Sequence, residues 1–119
     1  MRSLRLTLAA MLMAPIAVAA APEGLPGHYY LSGMTEVGSE LLLRADGRYQ
    51  WMLAYGALDL AAEGQWTRSG DTLTLVADPG ILAEDGMESI FARMELTIGK
   101  DGALVPQDAL RGAYRKARE

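Results

Sequence analysis

The sequence predicts an all-β protein, a small antiparallel up-and-down barrel with about eight strands; a two-sheet β-sandwich is the alternative. Three observations predict it. Leu41 to Val76 consists of apolar/polar alternations of period two, broken only by Gly-containing turns. The large apolar groups stay on one face through every turn. A Gly-x-aromatic pattern (Gly27-x-Tyr29, Gly47-x-Tyr49, Gly64-x-Trp66, Gly112-x-Tyr114) recurs from the first strand to the last, as a sheet that bends back on itself requires.

The register follows from the turns. A two-residue Gly56-Ala57 loop sets Tyr55 opposite Leu58, Leu53 opposite Leu60, Trp51 opposite Ala62 and Tyr49 opposite Gly64. Directly opposed residues share a face, so this face is apolar or aromatic. Arg48, Gln50, Asp59, Glu63 and Gln65 fall on the other. A three-residue Ala45-Asp46-Gly47 loop sets Leu43 against Tyr49 and Leu41 against Trp51. A Ser69-Gly70 turn sets Trp66 against Leu73 and Gly64 against Leu75. A slip of one residue at any turn would move a strand's apolar set to the wrong face.

The remaining elements are shorter. Residues 1–20 read as a signal peptide, with Arg2 and Arg5 ahead of an apolar stretch and small residues at Ala17-Val18-Ala19-Ala20. The stretch is shorter than the roughly 20 residues of a membrane span. Residues 21–119 form the single domain. Pro22 to Pro26 is an irregular lead-in, and Gly27 to Ser32 is a strand with Tyr29 and Leu31 on one side. Another strand starts near Glu40. In the acidic connection Asp78 to Glu88, Ile81-Leu82-Ala83 is the candidate for a helical turn. Ile90 to Ile98 alternates with Ile90, Ala92, Met94, Leu96 and Ile98 inward. Lys100-Asp101-Gly102 repeats the Ala45-Asp46-Gly47 turn and opposes Ile98 with Leu104. Pro106 ends that strand, and Leu110 to Lys116 is the last.

Composition narrows the function classes. Of the 11 Lys and Arg residues two lie in the leader, so 9 face 15 Asp and Glu in the remainder. With no basic cluster, a nucleic-acid or anionic-membrane partner is not expected. There is no Cys, so the domain has to be held by a hydrophobic core without disulfides. Nothing after the leader is apolar for long enough to span a bilayer.

The run from Leu41 to Leu75, strand–DG–aromatic strand–YGA.D–strand–G.W–strand–GD.L.L, resembles small secreted bacterial lipocalin-like barrels. It is also similar to the N-terminal barrel of the copper-resistance outer-membrane lipoprotein family. The likeness implies a barrel fold and an envelope address. That family's lipid-bearing Cys and CxxC pair are missing here, so it implies neither lipid anchoring, thiol redox chemistry nor copper sensing.

Catalytic chemistry finds little support. His28 is the only histidine, and Ser39 lies in Gly-Ser-Glu rather than a Gly-x-Ser-x-Gly elbow. Glycoside cleavage needs two carboxyls about 5–10 Å apart across a cleft, whereas Asp59 and Glu63 fall on the polar outer face. The acidic connection lacks calcium-loop spacing, and Met34, Met52, Met87 and Met94 are scattered. No catalytic residue, metal ligand or cofactor is assigned, and an enzyme is not expected.

Tyr49, Trp51, Tyr55 and Trp66 remain, four aromatics with polar tips on one face of two adjacent strands. They fit either a packed interior or the lining of a small cavity. The expected function is therefore a periplasmic or secreted non-enzymatic binding module that holds a small apolar or aromatic ligand through these four residues. The alternative is an envelope protein–protein interaction module, an inhibitor or accessory subunit, with a filled core.

Overall fold

The computed structural model describes residues 24–80, 90–108 and 110–118. The leader and the Ile81–Ala83 turn lie outside the described residues. Eight strands follow in order: β1 (Gly27–Ser32), β2 (Val37–Leu43), β3 (Arg48–Tyr55), β4 (Leu58–Ser69), β5 (Thr72–Ala77), β6 (Arg93–Ile98), β7 (Leu104–Pro106) and β8 (Ala113–Lys116). Each pairs antiparallel with its neighbour in sequence, and β8 pairs with β1, so the sheet is a closed up-and-down barrel rather than a sandwich. Closure leaves no long free edge. Among the described residues no helix is long and apolar enough to cross a membrane.

The central register is the one the turns dictate. Tyr49↔Gly64, Trp51↔Ala62, Leu53↔Leu60 and Tyr55↔Leu58 pair across β3 and β4, while Leu41↔Trp51 and Leu43↔Tyr49 pair across β2 and β3. The β2–β3 loop closes with Arg44 and Arg48 opposed. Its Asp46 Oδ1 accepts the Arg48 N–H at 3.0 Å. The β6–β7 loop copies this chemistry: Asp101 Oδ1 accepts the Ala103 N–H at 3.1 Å, and Ile98 pairs with Leu104. These backbone bonds are the main reason both carboxyls titrate below their ordinary value, with the nearby Arg44 and Arg115 adding to the effect.

Three expectations are corrected. Between β4 and β5 the loop is Gly70-Asp71, so Ser69 pairs with Thr72, Trp66 with Leu75 and Gly64 with Ala77. Gly70 then takes the first loop position with φ 61°, just as Gly56 does with φ 59° in the preceding hairpin. A two-residue loop of this kind places its Gly first. The shift is two residues, so the same side chains still face inward. The strand expected from Ile90 starts only at Arg93: Ile90 is exposed and Phe91 is buried. β8 starts at Ala113 rather than Leu110.

The core runs the length of the barrel. Tyr29, Leu41, Leu43, Tyr49, Leu73, Leu75, Leu96, Leu104 and Tyr114 are its largest fully buried side chains. Every strand except the short, irregular ends alternates buried with accessible positions, as a period of two requires. Arg48 at the start of β3 and Asp78 just after β5 form a two-pronged ion pair across the outer surface of β4.

Candidate functional site

Three of the four aromatics singled out in the sequence meet inside the barrel. Tyr49, Trp51 and Trp66 are buried, whereas Tyr55, at the β3–β4 hairpin, is 53% exposed. Its inward parity is correct, but the strand has by then reached the barrel rim.

Three of the polar tips inside, those of Trp51, Tyr114 and Ser39, bond to one another. The Trp51 Nε1–H donates to the Tyr114 hydroxyl at 2.9 Å. The hydroxyls of Tyr114 and Ser39 are 2.7 Å apart, and Ser39 Oγ donates to the Met52 carbonyl at 2.6 Å. With one proton on each hydroxyl, the chain has a single sense: Trp51 to Tyr114 to Ser39 to the β3 backbone. Elsewhere Trp66 Nε1–H donates to the Arg44 carbonyl at 2.9 Å, and the Tyr29 hydroxyl to the Leu25 carbonyl at 2.7 Å. Phe91 packs against Trp51 with ring centroids 4.9 Å apart.

Burial raises the pKa of Tyr114, partly opposed by its hydrogen bonds with Ser39 and Trp51, and burial also raises that of Tyr29. Tyr49 is pushed up to about 12, first by desolvation and then by the Asp78 carboxylate. Only 2% of Tyr49 is exposed, and among the described residues its hydroxyl has no hydrogen-bond partner.

Sequence reasoning passed over Tyr114, Ser39 and Phe91 as members of this cluster. The parity of β2 carries the signal for Ser39, which alternates with Leu41 and Leu43, and Tyr114 shares the Gly-x-aromatic pattern. Phe91 carries none, because it precedes the strand. The pairing of Ser39 with Tyr114, 75 residues apart, exists only once the barrel closes.

A second feature lies on the outside of β1–β4. Pairing aligns Tyr30, Glu40, Met52 and Ala61 in one row and His28, Leu42, Gln50 and Glu63 in the next. His28 stacks on Tyr30 (4.7 Å, 18°) and its Nε2 lies 2.9 Å from Glu40 Oε1. Two shallow hollows adjoin here. One, of about 260 Å³, is bordered by His28, Glu40, Leu42, Gln50 and Met52; the other, of about 330 Å³, lies over Gln50, Ala61 and Glu63. The small Ala61 beside the longer Gln50 and Glu63 makes the second. Tyr30 and Met52 are exposed. His28 and Ser39 lie on opposite faces of the sheet, so they form no acid–base couple.

At the opposite end of the barrel from the Gly56-Ala57 hairpin, a hollow of about 480 Å³ is bordered by Tyr29, Asp101, Arg115, Lys116 and Arg118. Two of its cations are already engaged: Arg115 pairs with Asp101 at 3.1 Å, and Lys116 Nζ donates to the Gly24 carbonyl at 2.6 Å, over the Tyr29 ring. This arrangement closes the end of the core. Among the described residues no group of three or more His, Cys, Asp or Glu side chains is placed to hold a metal ion.

Comparison of the chain with protein-family models, with curated proteins and with solved structures gives no match.

Proposed function

We propose that the protein is a non-enzymatic protein–protein interaction module of the bacterial envelope, periplasmic or secreted, with the barrel as a packed scaffold and the outer wall of β1–β4 as its recognition face. The observation that carries this reading is the hydrogen-bond chain Trp51–Tyr114–Ser39–Met52. A cavity lining keeps polar groups free for a ligand; here these groups are used up by one another. The outer wall, in contrast, offers apolar surface at Tyr30, Met52 and Leu42 beside the carboxylates Glu40, Glu63 and Asp59. Arg48, the nearest cation on β3, is occupied by Asp78. The complementary partner presents apolar side chains flanked by Lys or Arg. The leader-like pattern from Arg2 to Ala20 supports the envelope address.

The test is site-directed photocrosslinking in the native envelope, with the reactive group placed at Met52 or, as a control, at Thr67 on the outer face of β4. A discrete protein adduct from Met52, absent from Thr67 and lost on Ala61→Arg, is the expected result. No adduct from Met52 would overturn the reading.

A second reading is a small apolar or aromatic ligand inside the barrel, and Tyr49 favours it. A buried hydroxyl without a partner among the described residues is what a ligand acceptor would satisfy. Native mass spectrometry of the protein from its own compartment distinguishes the two: a co-purifying small molecule supports the interior site.

A further inference from the structure

The barrel is not closed equally all round. Among the described residues eight pairs join β3 to β4 and seven join β2 to β3, but a single pair, Leu104↔Tyr114, joins β7 to β8. The backbone explains why. Ala103 and Gln107 direct their bonding groups to β6, through Gly99 N–H to the Ala103 carbonyl and Gln107 N–H to the Glu95 carbonyl. Alternation then turns Leu104 and residue 106 toward β8. Residue 106 is Pro, which has no N–H to donate. Opposite it stands Gly112 with φ 87°, in a conformation that takes the chain out of strand geometry. Below the pair the seam is held by the Arg115–Asp101 ion pair, whose two side chains are both exposed. Such a pair contributes little.

β8 is held instead from its other edge and from within. Four pairs join it to β1. From inside, the Tyr114 hydroxyl reaches across the barrel to Trp51 on β3 and Ser39 on β2. We propose that the barrel opens sideways between β7 and β8 from the Leu104↔Tyr114 pair upward, and that the Tyr114 hydrogen-bond chain is the latch of this opening. When the latch releases, Tyr114 swings away with β8 and the Trp51 indole N–H meets solvent, while the β2–β3–β4 wall stays paired. The proposal is independent of what the outer wall binds. It gives the fold a side entrance to its own interior.

Amide exchange followed by NMR reads this directly. The Leu104 and Tyr114 amides and the Trp51 indole N–H should exchange together, at least about 100-fold faster than the Trp51, Leu53, Leu60 and Ala62 backbone amides of the β3–β4 ladder. The chain has no Cys, so a disulfide can be placed across the seam with Val105→Cys and Ala113→Cys. These positions are directly opposed in the Leu104↔Tyr114 register. Oxidation should slow exchange of the Trp51 indole N–H at least about 10-fold relative to the reduced form of the same variant. Pro106→Val, which restores an N–H on the β8 side, is the second variant and should slow the same protons. Seam amides protected as strongly as those of the β3–β4 ladder would overturn the proposal. So would an indole N–H that neither the disulfide nor Pro106→Val slows.

Discussion

Replacing Gly64 by alanine tests whether the coiling of β4 against β5 is what lets the barrel close. A Cβ placed on Gly64 would lie 2.8 Å from Ala77 Cα and 2.9 Å from the Val76 carbonyl carbon, and closer still to that carbonyl's oxygen. These are backbone atoms of the paired strand and cannot rotate away as a side chain can. Relief requires β5 to withdraw, which would strain the Gly64↔Ala77 pairing, the Asp78 N–H bond to the Glu63 carbonyl and the Arg48–Asp78 ion pair. Overpacking of this kind costs about 1–3 kcal/mol, and contact with backbone puts it at the top of that range. The lower entropy of the unfolded alanine chain returns about 0.4–1 kcal/mol. The expected net loss is about 2 kcal/mol, or a fall in Tm of roughly 8–16 °C for a domain of this size. Urea unfolding followed by tryptophan fluorescence measures it. Gly38→Ala is the matched control: a Cβ there meets nothing within 4 Å, and the change should be neutral or slightly stabilising. A Gly64→Ala protein within about 0.5 kcal/mol of the parent would refute the close approach of β4 and β5.

Other outcomes follow from the same geometry. Tyr114→Phe removes the acceptor of the Trp51 N–H and should cost about 1–3 kcal/mol in urea unfolding, whereas Tyr55→Ala, at the exposed rim, should stay within about 0.5 kcal/mol of the parent. Asp46, Asp78 and Asp101 all have folded pKa values below 3.8. A depressed carboxyl stabilises above its unfolded pKa and loses that contribution as pH falls through the folded value, so the urea midpoint should drop below about pH 4. Asp78→Asn should remove part of that acid dependence. For Tyr49, Tyr29 and Tyr114 the pKa is raised from 10.0. Their contribution is intact below pH 10.0 and is lost above it, so ultraviolet titration should show these hydroxyls ionising together with alkaline unfolding.

What the sequence by itself determined is the local and the periodic. Alternation of period two assigned β3 and β4 residue by residue, because a turn of known length leaves one register free of misplaced side chains. The Asp-Gly loops before β3 and β7 were equally legible, since a three-residue loop with Gly at its end and Asp bonding forward carries its own instructions. The Ser69-Gly70-Asp71 turn was less legible, because its two possible two-residue loops shift the pairing by two residues and so preserve the inward parity, and only the place of Gly70 in the loop tells them apart. Only the tertiary structure decided the rest. Phe91 lies outside any alternation, and its place against Trp51 depends on where the chain enters β6. Tyr55 obeys the parity of its strand yet is exposed, because parity tells in from out but not centre from rim. Most of all, the partners of Trp51, Tyr114 and Ser39 are set by closure. Each is a polar group whose burial is tolerable only if another arrives from a distant strand, and which one arrives depends on strand tilt and stagger, which local sequence does not encode.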